Sequence, residues 1–251
     1  MTRRLTVAVV YPDLLGTYGD GGNGTILAKR AAWRGIDVDL VHAPSAEPLP
    51  RADLYCIGGG EDGPQVRAAR CLVDDGTLPA AVADGAAVLA VCAGYQLVGR
   101  RFPDAGGQAV EGLGLLDAVT VKGTGRRAVG EVVADPGPGS PRTATGELLP
   151  TLTGFENHGG RTTVGAGSAV LARVRSGIGN GDGPGGGPAT EGAWSGRVLG
   201  TYLHGPVLAR NPALADLLLG WATGGDVSLD PLDDGEEQAL RAERLAAAPR
   251  R

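Results

Sequence analysis

The chain is poor in the residues that build disulfide frameworks and structural zinc sites. Its 251 residues include three cysteines, Cys56, Cys71 and Cys92, and three histidines, His42, His158 and His204. The cysteines are odd in number and none stands in a CxxC spacing, so neither construction is supported and no metal site is expected. There is no stripe of lysine and arginine. With 23 basic residues against 28 acidic ones the formal charge is −5, which disfavours binding to a phosphate backbone. Long apolar runs are missing as well: Met1-Thr2-Arg3-Arg4 leads into only six residues before Tyr11-Pro12-Asp13. That is too short for a signal peptide or a membrane span, so a cytoplasmic location is expected. Finally, there is no GxxxxGK[ST] phosphate loop, and Gly19-Asp20-Gly21-Gly22-Asn23-Gly24 lacks the dinucleotide spacing. The chain is therefore not expected to hold ATP or NAD in those ways.

What is present describes a globular protein. Hydrophobic residues make up 42% and charged residues 20%, which argues against disorder. Leu5 to Val10 reads as a strand, followed by a glycine-rich turn and a helix from Gly24 to Trp33. Further strands are expected at Ile36 to Val41, Leu54 to Ile57 and Ala87 to Val91, with a helix near Gln65 to Val73. Alternation of this kind predicts an α/β fold with a mostly parallel central sheet flanked by helices, and ligands of such sheets bind beyond the carboxyl ends of the strands. Between Gly112 and Val174 short β-like segments, Leu115 to Val121, Ala128 to Val133 and Ala169 to Val174, predict added antiparallel strands. Ser176 to Gly192 is glycine-rich and aperiodic, and reads as a flexible surface insertion. One more strand is expected at Val198 to Tyr202, then helices at Pro212 to Trp221 and Asp233 to Ala247.

Cys92 ends the apolar strand Ala87 to Val91, and small Ala93 and Gly94 lead from it into a helix. This is the strand-turn-helix pattern that presents a nucleophile, here a thiol at a helix N-terminus. The plainer reading is a small buried hydrophobe. A thiol nucleophile needs a base, and His204, in Tyr202-Leu203-His204-Gly205-Pro206, emerges at the same sheet edge. His158, in Gly154-Phe155-Glu156-Asn157-His158, is the rival, and His42 reads as structural or solvated. Gly58-Gly59-Gly60 directly follows a strand and offers backbone N–H groups to an oxyanion or a phosphate.

Together the Cys92 elbow, the Gly58 to Gly60 loop and His204 resemble the class I, triad-type glutamine amidotransferases of flavodoxin-like fold, in their cobyric-acid-synthase-like branch. Tyr11-Pro12-Asp13-Leu14, Tyr18-Gly19-Asp20-Gly21-Gly22-Asn23, Gly58-Gly59-Gly60-Glu61-Asp62, the Gly154 to His158 segment and Tyr202 to Pro206 are similar to the GatD-type glutaminase subunits of lipid II isoglutaminyl synthases. The resemblance implies an amidotransferase domain over residues 1–225, with an insertion at 177–192, and a helical extension at 226–251. It implies a heterodimer with a Mur-ligase-like (MurT-type) partner working near the inner face of the membrane. That partner would use ATP and magnesium to activate the α-carboxyl of D-glutamate in the lipid II stem peptide, while this chain hydrolyses L-glutamine and supplies ammonia. Cys92 would be the nucleophile and His204 the base. Ala93 and the Gly59-Gly60 loop would hold the oxyanion, and Arg127, with Arg126 as its immediate rival, would bind glutamine.

One position stands out: as in the cobyric-acid-synthase-like branch it resembles, the histidine motif lacks the glutamate that class I enzymes usually carry two residues later to orient the base, and Pro206 stands there. Glu156 and Asp20 are candidates within the chain, and the partner subunit, across a divided site, is the favoured source. Two other functions compete, the glutaminase component of a cobyrinate or cobyrate amidotransferase and an inactive amidotransferase-like binding module. The first usually comes fused to an N-terminal synthetase region, for which this chain has no room.

Overall fold

The computed structural model describes residues 4–183, 187–225 and 229–247. The first half of the chain runs β1 (Leu5–Val10), α1 (Gly22–Ala32), β2 (Val38–Ala43), β3 (Leu54–Ile57), α2 (Asp62–Asp75), α3 (Thr77–Ala83), β4 (Ala87–Val91) and α4 (Ala93–Val98). All of its strand pairs are parallel, with β1 between β2 and β3, and β3 against β4 from Leu54↔Ala87 to Ile57↔Ala90. Every residue of β3 and β4 is buried, as expected of parallel strands covered on both faces. The carboxyl ends at Val10, Ile57 and Val91 therefore lie along one edge. The second strand starts later than the sequence reading had it, because Gly35, at φ 71°, turns the chain out of the first helix before pairing resumes.

The second half runs β5 (Arg101–Pro103), β6 (Ala109–Glu111), β7 (Ala118–Lys122), β8 (Ala128–Asp135), β9 (Leu152–His158), β10 (Gly160–Val164), β11 (Ala172–Ser176), β12 (Gly181–Gly183), β13 (Gly187–Glu191), β14 (Ala193–Ser195) and β15 (Val198–Thr201), then α5 (Val207–Arg210), α6 (Pro212–Ala222) and α7 (Gly235–Ala247). β15 adds parallel to β4 and β14 closes that edge antiparallel, giving a six-stranded sheet β14-β15-β4-β3-β1-β2. The other strands form a four-stranded sheet, β10-β7-β5-β6, and a five-stranded sheet, β12-β13-β11-β8-β9. The expected antiparallel additions are thus present. No described helix is long and apolar enough to cross a membrane.

One expectation is corrected. Residues 177–192 do not form an unstructured insertion: β12 and β13 pair there, and Asn180 and Glu191 are buried. Residues 184–186 of that span lie outside the described residues. Gly177, Gly179 and Gly181 all have positive φ. A Cβ on Gly179 would sit 2.5 Å from the carbonyl oxygen of Thr190. These glycines permit tight turns and close backbone approach, and composition alone does not separate that use from a linker. The Gly154 to His158 segment is a strand. It lies on β9, where Glu156 and His158 point inward, so no apolar alternation announced the strand.

The C-terminal extension is tied down by charge; its residues 226–228 and 248–251 lie outside the described set. Arg30 on α1 is buried and pairs with Asp216 of α6 at 2.8 Å and with Asp234, just before α7, at 2.5 Å. Burial alone would lower its proton affinity, and the two carboxylates more than reverse that. Removing the cation leaves Asp234 without this partner and leaves Asp216 to Arg34 alone, whose Nη2 lies 2.9 Å from its Oδ2. Arg30→Met is expected to cost about 3 kcal/mol in chemical unfolding. A change below about 0.5 kcal/mol, the size of an ordinary surface substitution, contradicts this account of the extension.

Candidate functional site

The chain turns abruptly at the end of β4. Cys92 has φ 53° and ψ −104°, a conformation uncommon for a residue with a side chain. Its N–H donates to Thr201 O at 2.8 Å, so the strained residue is held from β15. A Cβ on Gly94 would lie 2.7 Å from Ile57 O and 3.0 Å from Gly58 O, which explains the small residue after the elbow. Of the other thiols, Cys56 is buried within β3 and pushed by that burial up to about 12, and Cys71 lies half-buried on α2.

His204 follows β15 and is fixed by two backbone bonds to Phe155 of β9, donating to its O at 2.8 Å and accepting from its N–H at 3.1 Å. Its ring is buried beside the Cys92 thiol, and its Nδ1 lies 2.8 Å from Asp20 Oδ2. Burial opposes the charged imidazolium, but Asp20 and Cys92 outweigh it and raise the group from 6.5 to about 10. Its contribution to stability is therefore complete below about pH 6.5 and is lost as pH rises through about 10.

Asp20 corrects the expectation that a partner supplies the orienting acid. It comes from the loop after β1, and the same Oδ2 accepts the N–H of Gly59 at 2.9 Å. Gly59 is thus committed to the carboxylate rather than to an oxyanion, which corrects its assigned role. A Cβ there would sit 2.7 Å from His204 Cε1. Glycine is required because the imidazole packs against that backbone. Glu156 is excluded as the acid, since its oxygens accept Ile178 N–H at 2.9 Å and Gly179 N–H at 2.8 Å.

Cys92, Ala93, Gly60, Gln96, Arg127 and His158 line a cavity of about 120 Å³. Among the described residues the N–H groups of Ala93 and Gly60 have no acceptor, so these two are the donors open to an oxyanion. Arg127 donates through Nε to Asn157 Oδ1 at 2.7 Å and stands on the cavity wall. Arg126 is exposed, and its carbonyl accepts a bond from Arg161. The ring of His158 stacks on that of Tyr202 at 3.7 Å, and burial holds it below the ordinary value. His42 is exposed on β2.

Sequence reasoning missed Tyr18, whose ring lies 4.6 Å from that of His204 and whose hydroxyl accepts Asn157 Nδ2 at 3.3 Å. It also missed Gln65 and Gln96. Gln65 Nε2 donates to Ala93 O at 3.2 Å and to Gln96 Oε1 at 3.0 Å, and Gln96 Nε2 donates to the Tyr202 hydroxyl at 3.2 Å. The four-residue step from Cys92 to Gln96 on one helix was the available signal.

Residues 6–212 match the CobB/CobQ-like glutamine amidotransferase domain family. The chain is 34% identical over 245 residues, 96% of its length and 94% of the relative's, to the subunit GatD of lipid II isoglutaminyl synthase (glutamine-hydrolyzing) from Staphylococcus aureus strain N315. It is 32% identical to the subunit of the same name from Streptococcus pneumoniae strain R6, covering 96% of this chain and 90% of that one. A glutamine amidotransferase crystal structure from Thermotoga maritima shares the fold, with a TM-score of 0.55 at 14% identity over 97% of this chain and 96% of the other.

The geometry predicts that Asp20→Asn lowers the proton affinity of His204, moving its imidazole titration, followed by NMR, from about 10 toward 6.5. Glu156→Gln is expected to leave it in place. An unmoved titration in Asp20→Asn contradicts the pairing.

Proposed function

The chain belongs to the CobB/CobQ-like glutamine amidotransferase family, and from that premise we propose that it is the glutaminase subunit of a lipid II isoglutaminyl synthase. It hydrolyses L-glutamine and passes the ammonia to an ATP-dependent, Mur-ligase-like partner that amidates the α-carboxyl of D-glutamate in the lipid II stem peptide. ATP and magnesium belong to that partner in this reading. The observation that carries the glutaminase step is the line Cys92, His204 and Asp20, three buried groups from three loops at one sheet edge. Similarity to whole GatD subunits, 94% and 90% of their lengths, supports the choice of acceptor over an amidotransferase fused to its own synthetase.

The chemistry follows from where the atoms lie. Cys92 Sγ attacks the side-chain amide carbon of glutamine, and the carbonyl oxygen takes up negative charge facing the N–H groups of Ala93 and Gly60. Each such donor is worth about 2.7 to 4 kcal/mol in the transition state. As the tetrahedral centre collapses, the C–N bond breaks and the imidazolium of His204 protonates the departing nitrogen, leaving a thioester and ammonia. His204, now neutral, takes a proton from water as that water attacks the thioester, releasing glutamate and restoring the thiol. Asp20 keeps Nδ1 protonated, so that Nε2 faces the thiol and the leaving nitrogen throughout. Arg127 holds the α-carboxylate of glutamine at the cavity wall.

With the acid supplied in this chain, the purified protein is expected to release ammonia from glutamine without its partner. Cys92→Ala should abolish turnover and Asp20→Asn should lower kcat by about 10⁴, by analogy with the loss of the orienting carboxylate in a hydrolase triad. A glutamine-directed electrophile should label Cys92 and spare Cys56 and Cys71. Arg127→Ala should raise KM at least about tenfold with kcat nearly unchanged, the mark of uniform binding, while Arg126→Ala should not. Full turnover in Cys92→Ala, or labelling at Cys71 at a comparable rate, refutes the assignment. Isoglutamine formation on lipid II by the chain together with a Mur-ligase-like subunit tests the acceptor.

A further inference from the structure

Glu191 takes no part in this chemistry, yet its side chain is wholly enclosed. It ends β13 of the five-stranded sheet, and after Gly192 the chain enters β14 at the edge of the six-stranded sheet. At this junction its Oε1 accepts the Thr201 hydroxyl at 2.5 Å and the Tyr202 N–H at 2.8 Å. Thr201 Oγ1 in turn accepts the N–H of Leu203 at 3.1 Å. The turn that carries the chain from β15 to His204 is therefore held by side chains rather than by a strand ladder. The same turn holds the nucleophile, because Thr201 O is the acceptor for Cys92 N–H.

We propose that Glu191 is a positioning residue of the glutaminase site: its carboxylate, acting through Thr201 and Tyr202, sets the separation of Cys92 and His204 and tightens it when ionised. The proposal rests on the reading of Cys92 and His204 as nucleophile and base.

The titratable groups facing Glu191 are Tyr95 from α4, Tyr202 after β15 and Glu156 from β9. Burial raises both tyrosines above 10, and it lowers His158, which lies beside Glu156. Both tyrosines therefore stay uncharged around neutrality. Burial pushes Glu191 itself up to about 7, against the bonds from Thr201 and Tyr202. An acid raised in this way favours the folded state fully below its unfolded value and loses that contribution as pH climbs through about 7. The bonds to Thr201 and Tyr202, however, become charge-assisted and stronger in the same interval. Activity and stability are thus expected to move in opposite directions, which a merely structural contact does not produce.

The test measures kcat for ammonia release, KM for glutamine and Tm of the purified chain from about pH 6 to about pH 8, in wild type, Glu191→Gln and Thr201→Val. Wild-type kcat is expected to rise about threefold across that interval, as charge-assisted bonds replace neutral ones, while Tm falls. Glu191→Gln, a neutral isostere, should stay at the wild-type acid-side kcat throughout and lose the fall in Tm. Thr201→Val keeps the carboxyl and removes one of its two bonds, so it should lose most of the rise. KM should stay within about twofold in all three, since Glu191 does not touch glutamine. A wild-type rise in Glu191→Gln overturns the proposal, and so does a wild type whose kcat and Tm fall together. If Glu191→Gln does not fold, an unaltered rise in Thr201→Val overturns it. An inert wild type refutes the glutaminase reading along with this one, whereas an active wild type with an unchanged profile in Glu191→Gln removes only the positioning role.

Discussion

One carboxylate oxygen joins three loops. Asp20 Oδ2 meets His204 Nδ1 at 2.8 Å and accepts Gly59 N–H at 2.9 Å, so the connections after β1, β3 and β15 converge on a single buried atom. A parallel sheet makes this possible, because it delivers the carboxyl ends of all its strands to one edge. Cys92 arrives there from β4, in a strained conformation that the bond from its N–H to Thr201 helps to hold. The glycines of the second loop have a mechanical task. A side chain at Gly58 would collide with the carbonyl of Leu15, and one at Gly59 would collide with the imidazole.

Placing Asp20 and His204 in a buried site is costly unless each is paired. They pair with each other at 2.8 Å, and other buried polar groups around the site are bonded as well. Gln65, Gln96, Tyr202, Thr162 and Thr120 form one chain of hydrogen bonds from α2 through α4 to the four-stranded sheet. Both oxygens of Glu156 accept N–H groups, from Ile178 and Gly179, while Glu191 accepts the Thr201 hydroxyl and the Tyr202 N–H on its Oε1. The five-stranded sheet is therefore part of the site's support. Its strand β9 bonds to His204 through Phe155, and β13 ends at the carboxyl that holds the preceding turn.

The parallel core was legible from sequence because its strands are uninterrupted apolar runs: Leu54 to Ile57 and Ala87 to Val91 are strands with the expected bounds. The elbow was legible for a related reason, since a cysteine followed by two small residues after such a run has few other structural uses. The strands of the other two sheets were harder to read. β9 carries Glu156 and His158 on its inward face, and β12 and β13 lie in a glycine-rich stretch whose composition matches that of a linker.

Sequence by itself determined the fold class, the thiol, the histidine at the far end of the chain and the family to which they belong, because each is marked by a local pattern of residue types. Tertiary structure decided which acid meets His204, which glycine N–H remains open and where Glu191 is buried. Asp20 and His204 are separated by 184 positions, and Glu191 reaches Thr201 only because two sheets meet at Gly192. Pairings of that kind depend on how strands are ordered and which loops they bring together, and no local pattern of residues encodes that order.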